Sequence, residues 1–316
     1  MLLAFALLAG AGSAKADSEV WIKALPADLK TGDKVVIVDV TTKMAMGNDP
    51  DEGKTPYPAS IKLNDRNDRI AEEVVGDTVQ WTVTVQGNDD ARKYQFKAGE
   101  GKFLNVINKD DGLRVGADGV NAFSVAWDPA HKRAPFLYAV VNDTVRAAGM
   151  YSMFGIMNNW RAKTSIDDQI KGTVTAFFRK SDPKKNDVTL SLTNANGREG
   201  YDYEADLKKG ANSFTAPTLK GAPQGATVTY MSTNEHVATV DASTGAITLL
   251  RRGTTDITVV YKGNNKNNYA LATYTLRVDD GNDTAGTSNY PFTVAEAIKY
   301  AQIRLNCCRS STSSST

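Results

Sequence analysis

The sequence predicts an all-β chain: a closed β-barrel or β-trefoil-like domain, then a β-sandwich, then a short helical fragment at the C-terminus. Three observations predict it. Apolar residues from Trp21 to Lys180 alternate with polar ones or cluster in short runs, with no helix-period segment of ordinary length. Turn residues cut these runs, as in Gly87-Asn88-Asp89-Asp90, Lys109-Asp110-Asp111-Gly112 and Asn142-Asp143. A faint internal repeat spaces similar strands evenly through the first half. The chain has 316 residues, enough for about two domains.

The N-terminus opens on Leu2 to Gly12, an unbroken apolar and small-residue run, followed by Ser13-Ala14-Lys15-Ala16. The run is too short for a bilayer span, which needs about 20 residues. Its Ala-x-Ala ending suits signal peptidase, so residues 1–16 are expected to be a secretion signal and the mature chain to begin at Asp17. No lysine or arginine precedes the run, which departs from the usual leader. No other stretch is long enough to cross a membrane, and no lipid-anchoring cysteine follows the leader. The expected location is secreted, periplasmic or cell-surface.

Residues 17–180 form the first expected domain. Lys34 to Val40, Val79 to Val85 and Thr173 to Phe178 are its clearest strands. Trp81-Thr82-Val83 and Phe123-Ser124-Val125 lie 42 residues apart, Phe96 and Leu137 lie 41 apart, and Phe103-Leu104 matches the strand around Val145. A third copy is read at Val35, with Asn48 to Gly76 inserted after it. A period of roughly 40 residues carrying about four strands suits a three-fold trefoil or a related closed barrel. Chance similarity among short strands is the competing account.

Ser181 to Asn186 (SDPKKN) is polar and contains a proline, as a domain connector does. Residues 187–278 then alternate again at Val188 to Leu192, Ala226 to Tyr230 and the β-branched Thr255 to Tyr261. At about 90 residues a two-sheet sandwich is the economical solution. Within it, Thr229-Tyr230-x-Ser232-x-Asn234-x-x-Val237-Ala238-x-Val240 leads to Thr244-Gly245-x-Ile247 and Gly253-x-x-x-Ile257-Thr258-Val259. This order resembles the bacterial Ig-like group 2 domain of intimin- and invasin-type surface proteins. The resemblance implies a spacer or adhesion unit without catalytic residues. Val237, Val240 and Ile247 are expected to point inward, Ser232 and Asn234 to shape a turn, and Gly245 to turn a hairpin.

Asp279 to Asn289 reads as a flexible linker. Thr293-Val294-Ala295-Glu296 is a capping box, and Val294, Ile298, Ala301 and Leu305 share one helical face. The Tyr290 to Ile298 run resembles the opening of an OB-fold-like domain. Asn306 to Thr316 cannot build a core, so the expectation for 290–316 is a truncated domain start with a disordered tail.

Chemical motifs are sparse. Lysine and arginine total 37 against 36 acidic residues, which removes the electrostatic case for a nucleic-acid partner. Gly99-Glu100-Gly101-Lys102 lacks phosphate-loop spacing and reads as a hairpin turn. The acidic pairs Asp89-Asp90, Asp110-Asp111, Asp167-Asp168 and Asp279-Asp280 read as solvated turns, and Asp49 to Gly53 misses EF-hand spacing. His131 and His236 have no triad partners nearby, and the adjacent Cys307 and Cys308 staple nothing. No catalytic residue, metal site or cofactor is expected, and the chain is read as non-enzymatic.

The candidate ligand-binding residues are aromatic and amide. Trp127, Tyr138, Tyr151, Phe154 and Trp160 crowd the end of the first domain, with Asn158, Asn159 and Arg161 beside them. Aromatic faces stack on apolar sugar faces while amides and charges read hydroxyls. Trp160, Tyr151, Asn158, Asn159 and Arg161 are therefore the expected binding set, with Trp160 foremost because Asn158-Asn159 suggests a turn before it. Core filling is the competing role for these rings. The function expected is a secreted or cell-surface binding and adhesion protein, its partner a glycan or an extracellular surface protein. The alternative is the accessory front part of a larger secreted hydrolase or nuclease.

Overall fold

A computed structural model describes residues 19–279 except 52, 73, 89–90, 128–134, 154–156, 165–173 and 210–213. The expected leader, the 279–289 linker beyond Asp279, the C-terminal helix, both cysteines, His131 and Phe154 lie outside the described residues. What is described is all-β.

Four strands come first: β1 (Trp21–Ala24), β2 (Lys34–Asp39), β3 (Met44–Met46) and β4 (Pro58–Ser60). A four-stranded meander follows, β5 (Gln80–Gln86), β6 (Lys93–Gly99), β7 (Lys102–Val106) and β8 (Leu113–Gly116). A second meander repeats it with β9 (Ser124–Trp127), β10 (Pro135–Val141), β11 (Thr144–Met153) and β12 (Met157–Lys163). The strand β13 (Thr175–Lys180) then returns to lie between β1 and β2. One sheet runs β1-β13-β2-β5-β6-β7-β8 with β3 and β4 attached to β2; the other runs β12-β11-β10-β9. The expected closed barrel is not what the sheets form, since among the described residues none closes on itself.

The repeat read from sequence has a structural counterpart. Strands β6 and β10 begin 42 residues apart, at Lys93 and Pro135, and so do β7 and β11, at Lys102 and Thr144. Trp81, Phe96, Phe123 and Leu137 are all fully buried in one core. Leu104 joins that core, whereas its partner Val145 packs with Ala126, Phe136 and Ala147 on the opposite sheet face. Asn142 and Asp143, at φ 48° and 59°, form the tight turn between β10 and β11, where short polar residues tolerate left-handed backbone.

The run Val35-Val36-Ile37-Val38 is buried on both faces. Val35 and Ile37 enter the main core with Phe177, while Val36 and Val38 meet Trp21, Ile61, Leu63, Ile70, Val75 and Phe178. The stretch 48–76, read as an insertion, thus supplies a second apolar layer over β2 and β13. Two indoles clamp the short strand β3: Trp81 Nε1 donates to the Met46 carbonyl at 3.0 Å and Trp160 Nε1 to the Ala45 carbonyl at 3.2 Å.

The second unit holds β14 (Ser191–Thr193), β15 (Asp202–Asp206), β16 (Thr218–Lys220), β17 (Thr229–Ser232), β18 (Ala238–Val240), β19 (Ile247–Leu249), β20 (Gly253–Tyr261) and β21 (Ala270–Asp279). Its four-stranded sheet runs β15-β21-β20-β17, with β15 parallel to β21. Val188, Leu190, Leu192, Val237, Ile257, Val259, Tyr274 and Leu276 fill its core, with Val240 and Ile247 against them. Asn234 caps its turn by donating its backbone N–H to Thr255 Oγ1 and accepting from the His236 N–H through Oδ1. Gly245 turns the β18–β19 hairpin at φ 75°, and a Cβ there would stand 2.9 Å from the Tyr230 ring. Gly245→Ala is expected to cost at least about 1–2 kcal/mol from backbone handedness alone, read as a lower urea midpoint.

The two units pack directly. Val260, Tyr269 and Leu271 of the second unit belong to the main core of the first. Tyr269 Oη donates to Asp28 Oδ2 at 3.2 Å and accepts from the Leu25 N–H at 3.4 Å, while the Arg179 guanidinium lies 4.4 Å from its ring centre. Burial, reinforced by Asp28, pushes the Tyr269 phenol far above its ordinary pKa, so it stays a neutral donor. Lys262 pairs with Asp28 at 3.3 Å. The connector is tied down too: Asn268 bonds both the N–H and the carbonyl of Asp182, at 3.0 Å each, and Arg69 donates to the Val188 carbonyl at 2.8 Å. These contacts fix the angle between the units.

Candidate functional site

Alternation along β11 and β12 decides which candidates can meet a ligand. The segment 157–163 is continuous strand, not the turn that Asn158-Asn159 suggests. Period two therefore sends Trp160 and Ala162 to the face opposite Asn159, Arg161 and Lys163. Trp160 is fully buried among Met150, Leu137 and Ala148, with its N–H spent on Ala45. The expectation that its ring stacks on a ligand is corrected: it is a core residue. Asn158 sits in β12 paired with Ser152, and its side chain lies outside the described residues, as does that of Trp127.

Tyr151, Asn159 and Arg161 do come together. Tyr151 pairs with Asn159 across the strands, and Arg161 pairs with Gly149, one position diagonal to the tyrosine. The Arg161 guanidinium lies over Tyr151, 4.3 Å from its ring centre. Arg161 Nε also lies 3.6 Å from Asp111 Oδ1, and Lys163 Nζ lies 3.0 Å from the same atom. Sequence reasoning missed Lys163 and Asp111, although two-residue spacing from Arg161 was signal enough for the lysine.

The carboxylate that organises this face comes from the other meander. Asp111 sits in the β7–β8 turn at φ 57°, and its N–H donates to the Ala162 carbonyl at 3.0 Å. Arg146 anchors the same turn, donating to Asp110 at 3.0 Å and to Asn108 at 3.1 Å. The Asp110-Asp111 pair is therefore a structural brace between meanders, beyond the solvated turn its sequence suggested. The outcome is a partly exposed patch of an amide, a phenol, a guanidinium and an ammonium, its two cations held on Asp111.

Other candidates resolve quietly. Gly99 and Lys102 flank the β6–β7 hairpin, with Gly101 at φ 69°, and no helix follows. Among the described residues no cluster of three histidine, cysteine, aspartate or glutamate side chains suits a metal ion. No helix among the described residues is long and apolar enough to cross a membrane.

Residues 206–270 match the family model of the bacterial Ig-like domain (group 2), the family that the Thr229 to Val259 spacing resembles. No curated protein matches the chain. Among solved structures, the Polyporus squamosus lectin bound to a human-type influenza-binding epitope aligns at 8% identity, covering 78% of this chain and 99% of that one. The TM-score is 0.35, at which the likeness carries no argument.

Proposed function

We propose that this chain is an exported, non-enzymatic binding protein of the adhesion type, and that the β11–β12 face takes a glycan. One observation carries the reading: Tyr151, Asn159 and Arg161 share one face, with the guanidinium held by both Asp111 and the Tyr151 ring. A primary amide both donates and accepts, so Asn159 suits a sugar hydroxyl, whose oxygen does the same. Arg161 adds donors already fixed in place, so little side-chain entropy is lost when a ligand arrives. The duplicated meanders support a trefoil-like reading of the first unit. The Ig-like domain then acts as a docked support for that face.

The test is an immobilised-glycan array probed with the full chain and with Asn159→Ala and Arg161→Ala. Loss of a charged or amide hydrogen bond predicts about a tenfold or larger fall in affinity for each variant. Each should keep the wild-type unfolding midpoint within a few degrees, roughly the effect of 1 kcal/mol or less. Binding to an extracellular protein and to no glycan would overturn the ligand class.

A further inference from the structure

We propose that the glycan taken by the β11–β12 face is acidic, bearing a carboxylate or sulfate group that meets Arg161 and Lys163. This rests on the glycan reading of that face and adds the charge of its ligand. The argument starts from the charges that touch the β7–β8 turn. Arg146 and Asp110 form a one-to-one pair at 3.0 Å, with the arginine side chain buried, so these two cancel. Asp111 is shared. Arg161 Nε lies 3.6 Å from its Oδ1, and Lys163 Nζ lies 3.0 Å from the same atom. Arg114 donates to the Asp111 carbonyl at 2.6 Å, to the Leu113 carbonyl at 2.7 Å and to Thr55 Oγ1 at 3.0 Å, all of them neutral acceptors. Three cations therefore surround one carboxylate, and two positive charges are left over.

The fold keeps that surplus at the surface. Arg161 and Lys163 stand two positions apart on β12, so they share a face, and their side chains are 23% and 26% exposed. Asp111 is tied to the same strand, its N–H bonded to the Ala162 carbonyl at 3.0 Å. Cations gathered around a single carboxylate repel one another. An incoming anion offsets the repulsion, a cationic ligand adds to it, and a neutral sugar does neither. Charge-assisted hydrogen bonds to a carboxylate or sulfate oxygen are also stronger than those to a hydroxyl. Asn159 lies on the same face as the two cations, where its amide suits a hydroxyl of the ring that carries the acidic group. An acidic sugar answers both the charge and the amide; a bare anion answers only the first.

The experiment probes the full chain with a glycan array that holds each backbone in neutral, uronate and sulfated form, with poly-glutamate as charge without sugar. The best binder of each form is then titrated calorimetrically at low and at high salt. Acidic forms are expected to bind about tenfold or more tightly than their neutral parents, as one hydrogen bond to a charged group allows. That preference should shrink as salt rises, because the charges are partly exposed. The uronate and sulfated arms show which acidic group is read, and a preference for either supports the proposal. Lys163→Gln should cut the acidic-to-neutral affinity ratio severalfold. Should that variant fail to fold, the wild-type comparison of matched forms decides the matter. Equal binding of neutral and acidic forms, still lost in Asn159→Ala, would overturn the acidic ligand and leave the glycan reading standing. No binding to any form would overturn both. Poly-glutamate bound as tightly as the acidic glycans, or an affinity ratio unchanged in Lys163→Gln, would also overturn the proposal.

Discussion

Trp160→Ala is expected to unfold much of the first unit instead of merely clearing a binding surface. The indole is fully buried between the second meander and β3, where removal of so large a ring typically costs about 3–5 kcal/mol. The Ala45 carbonyl loses its indole donor as well, adding up to about 1–3 kcal/mol if nothing replaces it. A protein stable by about 5–15 kcal/mol has little left after such a loss. Urea unfolding followed by intrinsic fluorescence checks this. Trp160→Phe keeps most of the apolar volume and should fall between the two. An unchanged midpoint in Trp160→Ala would place the ring outside the core.

Tyr269→Ala should uncouple the two units. Its ring joins the core of the first unit from the second, beneath Arg179, and its hydroxyl bonds both Asp28 and Leu25. Truncating a buried ring costs about 3–5 kcal/mol, here charged to the junction itself. Calorimetry of the wild type is expected to show one transition, and Tyr269→Ala two. Tyr269→Phe loses only the hydroxyl contacts, about 1 kcal/mol, and should keep a single transition. Two transitions in the wild type would mean that the docked arrangement adds no cooperativity.

Much of the strand pattern could be read directly, because alternation and β-branching act locally. Val35 to Val38 announces a strand, and its lack of any polar interruption is also the mark of burial on both faces. The Ig-like segment is legible because its spacings encode turns, with Gly245 and Asn234 doing in the structure what their positions implied. The binding set was only partly legible. Asn158-Asn159 has turn chemistry, yet β12 pairs along its length with β11, and that tertiary pairing overrides local preference. Once the segment is a strand, alternation alone separates Trp160 from Asn159 and Arg161.

The junction was not legible. Asp28 and Tyr269 are 241 positions apart, and a polar, proline-containing connector gives no hint that Asn268 will grip it. The same holds for Asp111, which reaches Arg161 only because the two meanders are packed together. Contacts of this kind depend on topology, which short-range patterns do not encode.

Glycan binding by the β11–β12 face is tested by a calorimetric titration of the strongest array glycan against the full chain and the double variant Asn159→Ala/Arg161→Ala. Affinity is expected to fall about a hundredfold in the double variant, with its unfolding midpoint close to that of the wild type. Equal affinity in the two proteins would contradict it.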